Sequence, residues 1–179
     1  MLDYKPLCNH IVRTLQFHIL YDMKLEEAIQ QQRFISEHQK AHLNILYTAS
    51  WLSQRTTSIL KPYGLTWQQF NILRILRGRH PEPATVKLLT ERMIDKMSNA
   101  SRLVDKLLAK GFVERCTSKE DRRRVDVSIT EEGLELLDKA SQDLELGLRF
   151  EDGNLSEPEA ESLNDLLDKL RTLADEPAE

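Results

Sequence analysis

Residues 98–110 constrain the fold of this chain more than any other stretch. Ala100, Leu103, Val104, Leu107 and Leu108 recur at i, i+3, i+4, i+7 and i+8, the stripe of a helix buried along one face. The opposite face carries Ser98, Asn99, Ser101, Arg102, Asp105 and Lys106, all hydrogen-bonding or charged groups. Gly111 follows, where a helix commonly exits through a left-handed residue. Two short alternating runs come next, separated by a turn that holds Lys119, Arg122, Arg123 and Arg124. The whole stretch 85–133 therefore reads as a helix-turn-helix followed by a β-hairpin with a cationic tip.

Charge is divided along the chain in a way that the total conceals. The net charge is −4, which is unpromising for a polyanion ligand. Yet residues 71–130 contain 14 Lys and Arg against 8 Asp and Glu, while residues 131–179 contain 4 against 16. The positive field thus coincides with the helix-turn-helix, and a local field steers a polyanion more than the overall charge does. A helix with a polar outer face beside a basic hairpin matches what duplex DNA asks for, one element for the groove and one for the backbone.

The remaining pattern predicts helices on both sides of this motif. Residues 1–22 show weak helical spacing (Ile11, Leu15, Ile19), and Met23 is an alternative start. Ile45, Leu46, Ala49, Leu52, Thr56, Ile59 and Leu60 predict a helix over about 34–61 that stops near Pro62 and Gly64. Thr66 with Gln69, and Ser156 with Glu159, have the spacing of capping boxes. Thr130 is the expected cap of a helix reaching to about 148, interrupted at Gly153-Asn154. The last helix is expected to bury Leu163, Leu166, Leu167, Leu170 and Leu173.

Several function classes are disfavoured. The two cysteines, Cys8 and Cys116, have no metal-ligand spacing and form no disulfide framework. No apolar run reaches membrane-spanning length, and Arg13, Gln16 and His18 interrupt any signal-peptide core, so a cytoplasmic setting is expected. No nucleophile–base set, phosphate loop or metal cluster is legible, which argues against an enzyme, and neither a metal nor another cofactor is expected. His38 and His42, four apart on one helix, read as exposed helical histidines rather than as a metal pair.

The order helix, helix, helix-turn-helix, hairpin, long helix, helix resembles the MarR family of bacterial transcriptional regulators. The likeness covers roughly residues 34–173 and is strongest between Leu65 and Leu137. It rests on Asp121-Arg122-Arg123, similar to the family's wing-tip Asp-x-Arg, on Thr130-Glu131-Glu132-Gly133, and on Leu103-Val104-Asp105-Lys106-Leu107. One departure stands out: Ile94 and Lys96 occupy the interhelical turn where the family commonly has Gly and Ser, which leaves the N-cap open between Asp95 and Ser98. The resemblance implies a mainly α fold with a small β-hairpin, a winged helix-turn-helix flanked by N- and C-terminal dimerisation helices. The implied organisation is an extension at 1–22, a dimerisation helix at 23–64, the DNA-binding part at 65–133 and dimerisation helices at 134–179.

The resemblance further implies a homodimeric regulator, a repressor relieved by a small-molecule or redox signal, on a pseudopalindromic double-stranded operator. The DNA-binding candidates are Ser98, Asn99, Ser101, Arg102 and Lys106 on the helix, with Arg115, Lys119, Arg122, Arg123 and Arg124 on the wing. Asp121 would repel phosphate, and is read as an internal anchor that pairs a wing arginine. Asp105 and Lys106 are alternatively an exposed structural pair. Tyr47, Trp51 and Trp67 lie near the crevice expected in such dimers, as core aromatics or as the lining of an effector pocket. A winged-helix module that binds protein partners instead of DNA is the alternative reading.

Overall fold

The computed structural model describes residues 23–117, 125–148 and 155–172. These divide into two units whose boundary falls between Ser53 and Gln54, inside the first long helix. In the N-terminal unit a short helix α1 (Leu25–Ala28) precedes the start of α2 (Glu37–Leu60). The entry to α2 is organised by side chains: Ser36 Oγ accepts the Gln39 N–H at 3.2 Å, and Gln39 Oε1 accepts the Ile35 N–H at 2.8 Å. Lys40 reaches Glu26 at 2.5 Å and lies 5.8 Å from the centre of the Phe34 ring.

The second unit runs from the end of α2 through a 3-10 turn (Lys61–Tyr63) into α3 (Trp67–Arg77). The Thr66–Gln69 capping box is present in both directions, so two of the orphan N–H groups at this helix start are satisfied. Strand β1 (Ala84–Thr85) leads directly into α4 (Val86–Arg92), and α5 (Ala100–Leu108) follows after a turn. Strands β2 (Val113–Thr117) and β3 (Val125–Ile129), the helix α6 (Glu131–Leu148) and the helix α7 (Glu157–Arg171) complete the order. The sheet is antiparallel in the order β1-β3-β2, with Val113 opposite Ile129, Arg115 opposite Val127 and Ala84 opposite Val127 on the other edge. β1 has no counterpart in the sequence reading, because two residues are too few to show an alternation.

One core joins these pieces. Leu60, Ile72, Leu73, Leu76, Leu89, Met93, Val104, Leu107, Val113, Val127 and Leu137 are almost wholly buried and come from α2 to α6. Removing one such leucine to alanine costs about 2–5 kcal/mol, so the position of α5 is set by this packing. The chain leaves α5 through Gly111 at φ +77°, a left-handed conformation that a Cβ disfavours. Thr130 then closes the hairpin onto that exit: its Oγ1 donates to Gly111 O at 2.8 Å and accepts the Gly133 N–H at 3.1 Å. Gly133 is held against Phe112 so closely that a Cβ there would lie 2.2 Å from the Phe112 carbonyl oxygen.

Helix α6 is tied back by polar links as well. Arg77 Nη1 meets Asp138 at 2.9 Å, Tyr63 O–H donates to Asp143 at 2.6 Å, and Arg55 Nε donates to Gly147 O at 2.7 Å. The Asp143 carboxylate holds the Tyr63 proton and so raises the phenol above its ordinary range.

The last helix departs from expectation. The Ser156–Glu159 cap forms, with the Glu159 carboxylate accepting the Ser156 N–H at 2.8 Å and its hydroxyl at 2.7 Å. However, Leu163, Leu166 and Leu170 are exposed rather than buried, and only Leu167 is half-buried. Their spacing is a sign of an apolar face, and nothing among the described residues covers it. Leu173 and Gly153-Asn154 lie outside the described residues, as do residues 1–22.

Candidate nucleic-acid interface

The turn between α4 and α5 is built from short side-chain bonds. α4 is capped by Thr85, whose Oγ1 accepts the Leu88 N–H at 3.0 Å, and ends at the buried Met93. Asp95 opens a turn closed by Ser98 N–H to Asp95 O at 3.3 Å. Its carboxylate accepts the Ser98 hydroxyl at 2.7 Å and the Met97 N–H at 3.1 Å. Those two donors, with the Gln68 side chain, stabilise the charged form and lower the Asp95 carboxyl below its usual range. Lys96 folds back so that its ammonium donates to the Glu91 carbonyl.

The N-cap of α5 is neither Asp95 nor Ser98. Asn99 takes that position, in extended conformation, and its Oδ1 accepts the Arg102 N–H at 3.0 Å. Asp95 and Ser98 are consumed in the turn before it, so the helix begins at Ala100 rather than at 98. A buried amide that sequence patterning does not single out completes the arrangement. Asn71, on α3, accepts the Ile94 N–H at 3.1 Å through its Oδ1.

The predicted helix face is present. Asn99, Ser101, Arg102 and Lys106 are exposed, Ser98 is half-buried, and Ala100, Val104 and Leu107 lie underneath in the core. Because Val104 and Leu107 cannot leave the core cheaply, the polar arc is presented on a fixed axis. Asp105 does not pair with Lys106: it forms an ion pair with Arg115 on β2. Arg115 shares the core-facing side of β2 with Val113, two residues earlier, and from there it reaches back over α5. Both partners are more than half exposed, so this pair orients Arg115 beside the helix and contributes little to stability.

Lys119, Asp121, Arg122, Arg123 and Arg124 fall outside the described residues. The two strands on either side of this stretch, β2 and β3, are in antiparallel register from Val113–Ile129 to Thr117–Val125. Cys116 is half-buried on β2, with the Ser128 hydroxyl at 4.0 Å from its sulfur. Cys8 lies outside the described residues.

The proposed pocket aromatics are in separate units. Tyr47 is exposed and Trp51 half-buried on the part of α2 that belongs to the N-terminal unit. Trp67 starts α3 and stacks on Phe70 with ring centroids 5.8 Å apart, at the edge of the core. His38 and His42 are exposed on α2, and among the described residues there is no group of three or more potential metal ligands. Among the described residues, no helix is long and apolar enough to cross a membrane.

Comparison with known proteins agrees with this geometry. The model of the MarR family matches residues 65–125, from just after the 3-10 turn to the start of β3. The HTH-type transcriptional regulator SarZ of Staphylococcus haemolyticus is 30% identical over 122 residues, 66% of this chain and 79% of that protein. A mutant MarR from Escherichia coli, solved in complex with operator DNA, superposes with a TM-score of 0.65 at 23% identity, over 79% of this chain and all of the other. BpsR of Bordetella bronchiseptica, whose DNA binding is regulated by 6-hydroxynicotinic acid, gives a TM-score of 0.66 at 20% identity, over 80% of this chain and all of the other.

Proposed function

Since the chain belongs to the MarR family of transcription regulators, we propose that it acts as a homodimer reading a pseudopalindromic duplex operator. The observation that carries this reading is the exposed arc of Asn99, Ser101, Arg102 and Lys106 on a helix anchored in the core by Val104 and Leu107. A recognition helix places its N-terminal residues against base edges in the major groove. Asn99 and Ser101 then meet bases, Arg102 reads a base edge or phosphate, and Lys106 meets the backbone. Arg115, turned toward α5 by Asp105, and Arg122, Arg123 and Arg124, which the sequence puts between β2 and β3, supply further phosphate contacts.

Dimerisation is supported by the apolar stripe Leu163, Leu166 and Leu170 on α7, which spans about two turns of one helix face and is exposed among the described residues. Two recognition helices then address half-sites roughly 34 Å apart. Repression relieved by a small molecule is the regulatory mode we assign, in line with the ligand-regulated DNA binding of BpsR. This is a role in binding and regulation rather than catalysis. Selection of bound duplexes from a randomised pool, followed by titration across salt concentration, tests it. The expected result is one enriched two-fold motif and a steep fall in affinity with salt. Equal, motif-free retention of all duplexes would overturn the reading.

A further inference from the structure

Two large apolar side chains stand in solvent at the leading end of the recognition helix. Met97 is 95% exposed and Ile94 is 64% exposed, both in the turn where the MarR resemblance leads one to expect Gly and Ser nearby. Neither is on a loose segment. The Ile94 N–H is held by the buried Asn71, and the Met97 N–H by the Asp95 carboxylate, whose other oxygen accepts from Ser98. The backbone is therefore fixed while both side chains project outward. Their surroundings are polar and on balance cationic: Arg92, Lys96, Asn99 and Arg102 are exposed along the same stretch of chain, with Glu91 exposed and Asp95 half-buried among them. Such a setting suits a polyanion rather than a lipid or an apolar peptide.

We propose that Met97, with Ile94 beside it, reads thymine methyl groups in the major groove at the edge of each half-site. This rests on the DNA-reading role proposed above. The 5-methyl of thymine is the apolar group that a base pair displays in the major groove, and apolar side chains discriminate it from cytosine and from purines. Met97 lies two residues before the N-cap of α5, at the end of the helix that enters the groove first. Its unbranched, polarisable thioether adapts to a methyl without requiring one fixed rotamer. The contact also explains why a side chain so exposed in the free protein is apolar, since burial on DNA removes that surface from water.

The test uses the full chain and the duplex enriched from the randomised pool. Each thymine in that duplex is replaced in turn by uracil, which removes the 5-methyl and leaves the base pairing intact. Wild-type protein is expected to lose roughly fourfold in affinity at one thymine per half-site, the effect of one buried methyl. Met97→Ala is expected to bind the thymine duplex about as weakly as wild type binds the uracil one, and to be indifferent to the replacement. Met97→Leu, which keeps apolar bulk, retains most of the discrimination. An enriched duplex in which no uracil costs affinity, or in which Met97→Ala loses as much as wild type, overturns the methyl contact while leaving the DNA-reading role intact. Failure to enrich any duplex overturns that role and this proposal together.

Discussion

The buried side chain of Asn71 on α3 holds the backbone of Ile94: its Oδ1 accepts the Ile94 N–H at 3.1 Å. Helix α3 thereby fixes the turn between α4 and α5, the two helices of the motif. Two fully polar groups are satisfied by one bond in a place where water has little access, since Asn71 is 5% exposed.

Asn71→Ala is accordingly expected to destabilise the fold by about 1–3 kcal/mol, the cost of leaving a partly buried donor unsatisfied together with the lost packing. Urea unfolding at one fixed protein concentration measures it. A change below about 0.5 kcal/mol would mean that Asp95 alone holds the turn.

Gly133→Ala separates helix propensity from close packing. In an exposed helix this change stabilises by roughly 0.5–1 kcal/mol. Here the new Cβ would meet Phe112 O at 2.2 Å and Ile129 Cγ1 at 2.9 Å, and the first of these is backbone. The expected outcome is a loss on the order of 1–3 kcal/mol, seen as a lowered thermal midpoint. An unchanged or raised midpoint would show that α6 can slide away from the α5–β2 connection.

Asn99 has two roles that different substitutions separate. Asn99→Ala removes the cap on the Arg102 N–H and is expected to cost about 1 kcal/mol of stability. Asn99→Ser restores the cap and most of that stability, but lacks the amide. If Asn99 also reads a base, Asn99→Ser remains about as impaired in base preference as Asn99→Ala. Recovery of base preference with serine would confine Asn99 to capping.

The turn carries a pH dependence of defined sign. The Ser98 hydroxyl, the Met97 N–H and the Gln68 side chain lower the folded-state carboxyl of Asp95 below its ordinary value of 3.8. A depressed folded value means that the contribution is present above the unfolded value and is lost as pH falls through the folded one. The stability difference between wild type and Asp95→Asn is therefore expected to be constant near neutrality and to shrink below about pH 4. Parallel curves down to pH 2 would remove Asp95 from the turn's stabilisation.

Leu166→Glu places a charge in the middle of the exposed α7 stripe. In a single chain this position is 64% exposed, so the fold of one copy tolerates the change. Across a dimer seam the same charge is desolvated without a partner. Sedimentation at micromolar concentration is expected to show a dimer for wild type and a monomer for the variant. Two dimers would place the seam elsewhere.

Local rules carried much of this protein because their consequences are nearly independent of the rest of the chain. The period of Ala100, Val104 and Leu107, the Thr66–Gln69 and Ser156–Glu159 caps, and the left-handed exit at Gly111 each follow from neighbours within a few residues. The polar arc of α5 follows from the same periodicity, since the side opposite a buried stripe must face outward. What needed the folded chain was competition and distance. Asp95, Ser98 and Asn99 all carry side chains able to cap α5, and only the turn geometry shows that Asp95 and Ser98 bond each other and leave Asn99 to the helix. The Asn71–Ile94 and Asp105–Arg115 pairs join positions that no sequence period relates. The leucines of α7 mark the remaining difference. Periodicity shows that a face is apolar, but whether the chain itself or a second copy covers it is decided only by where the neighbouring elements end up in space.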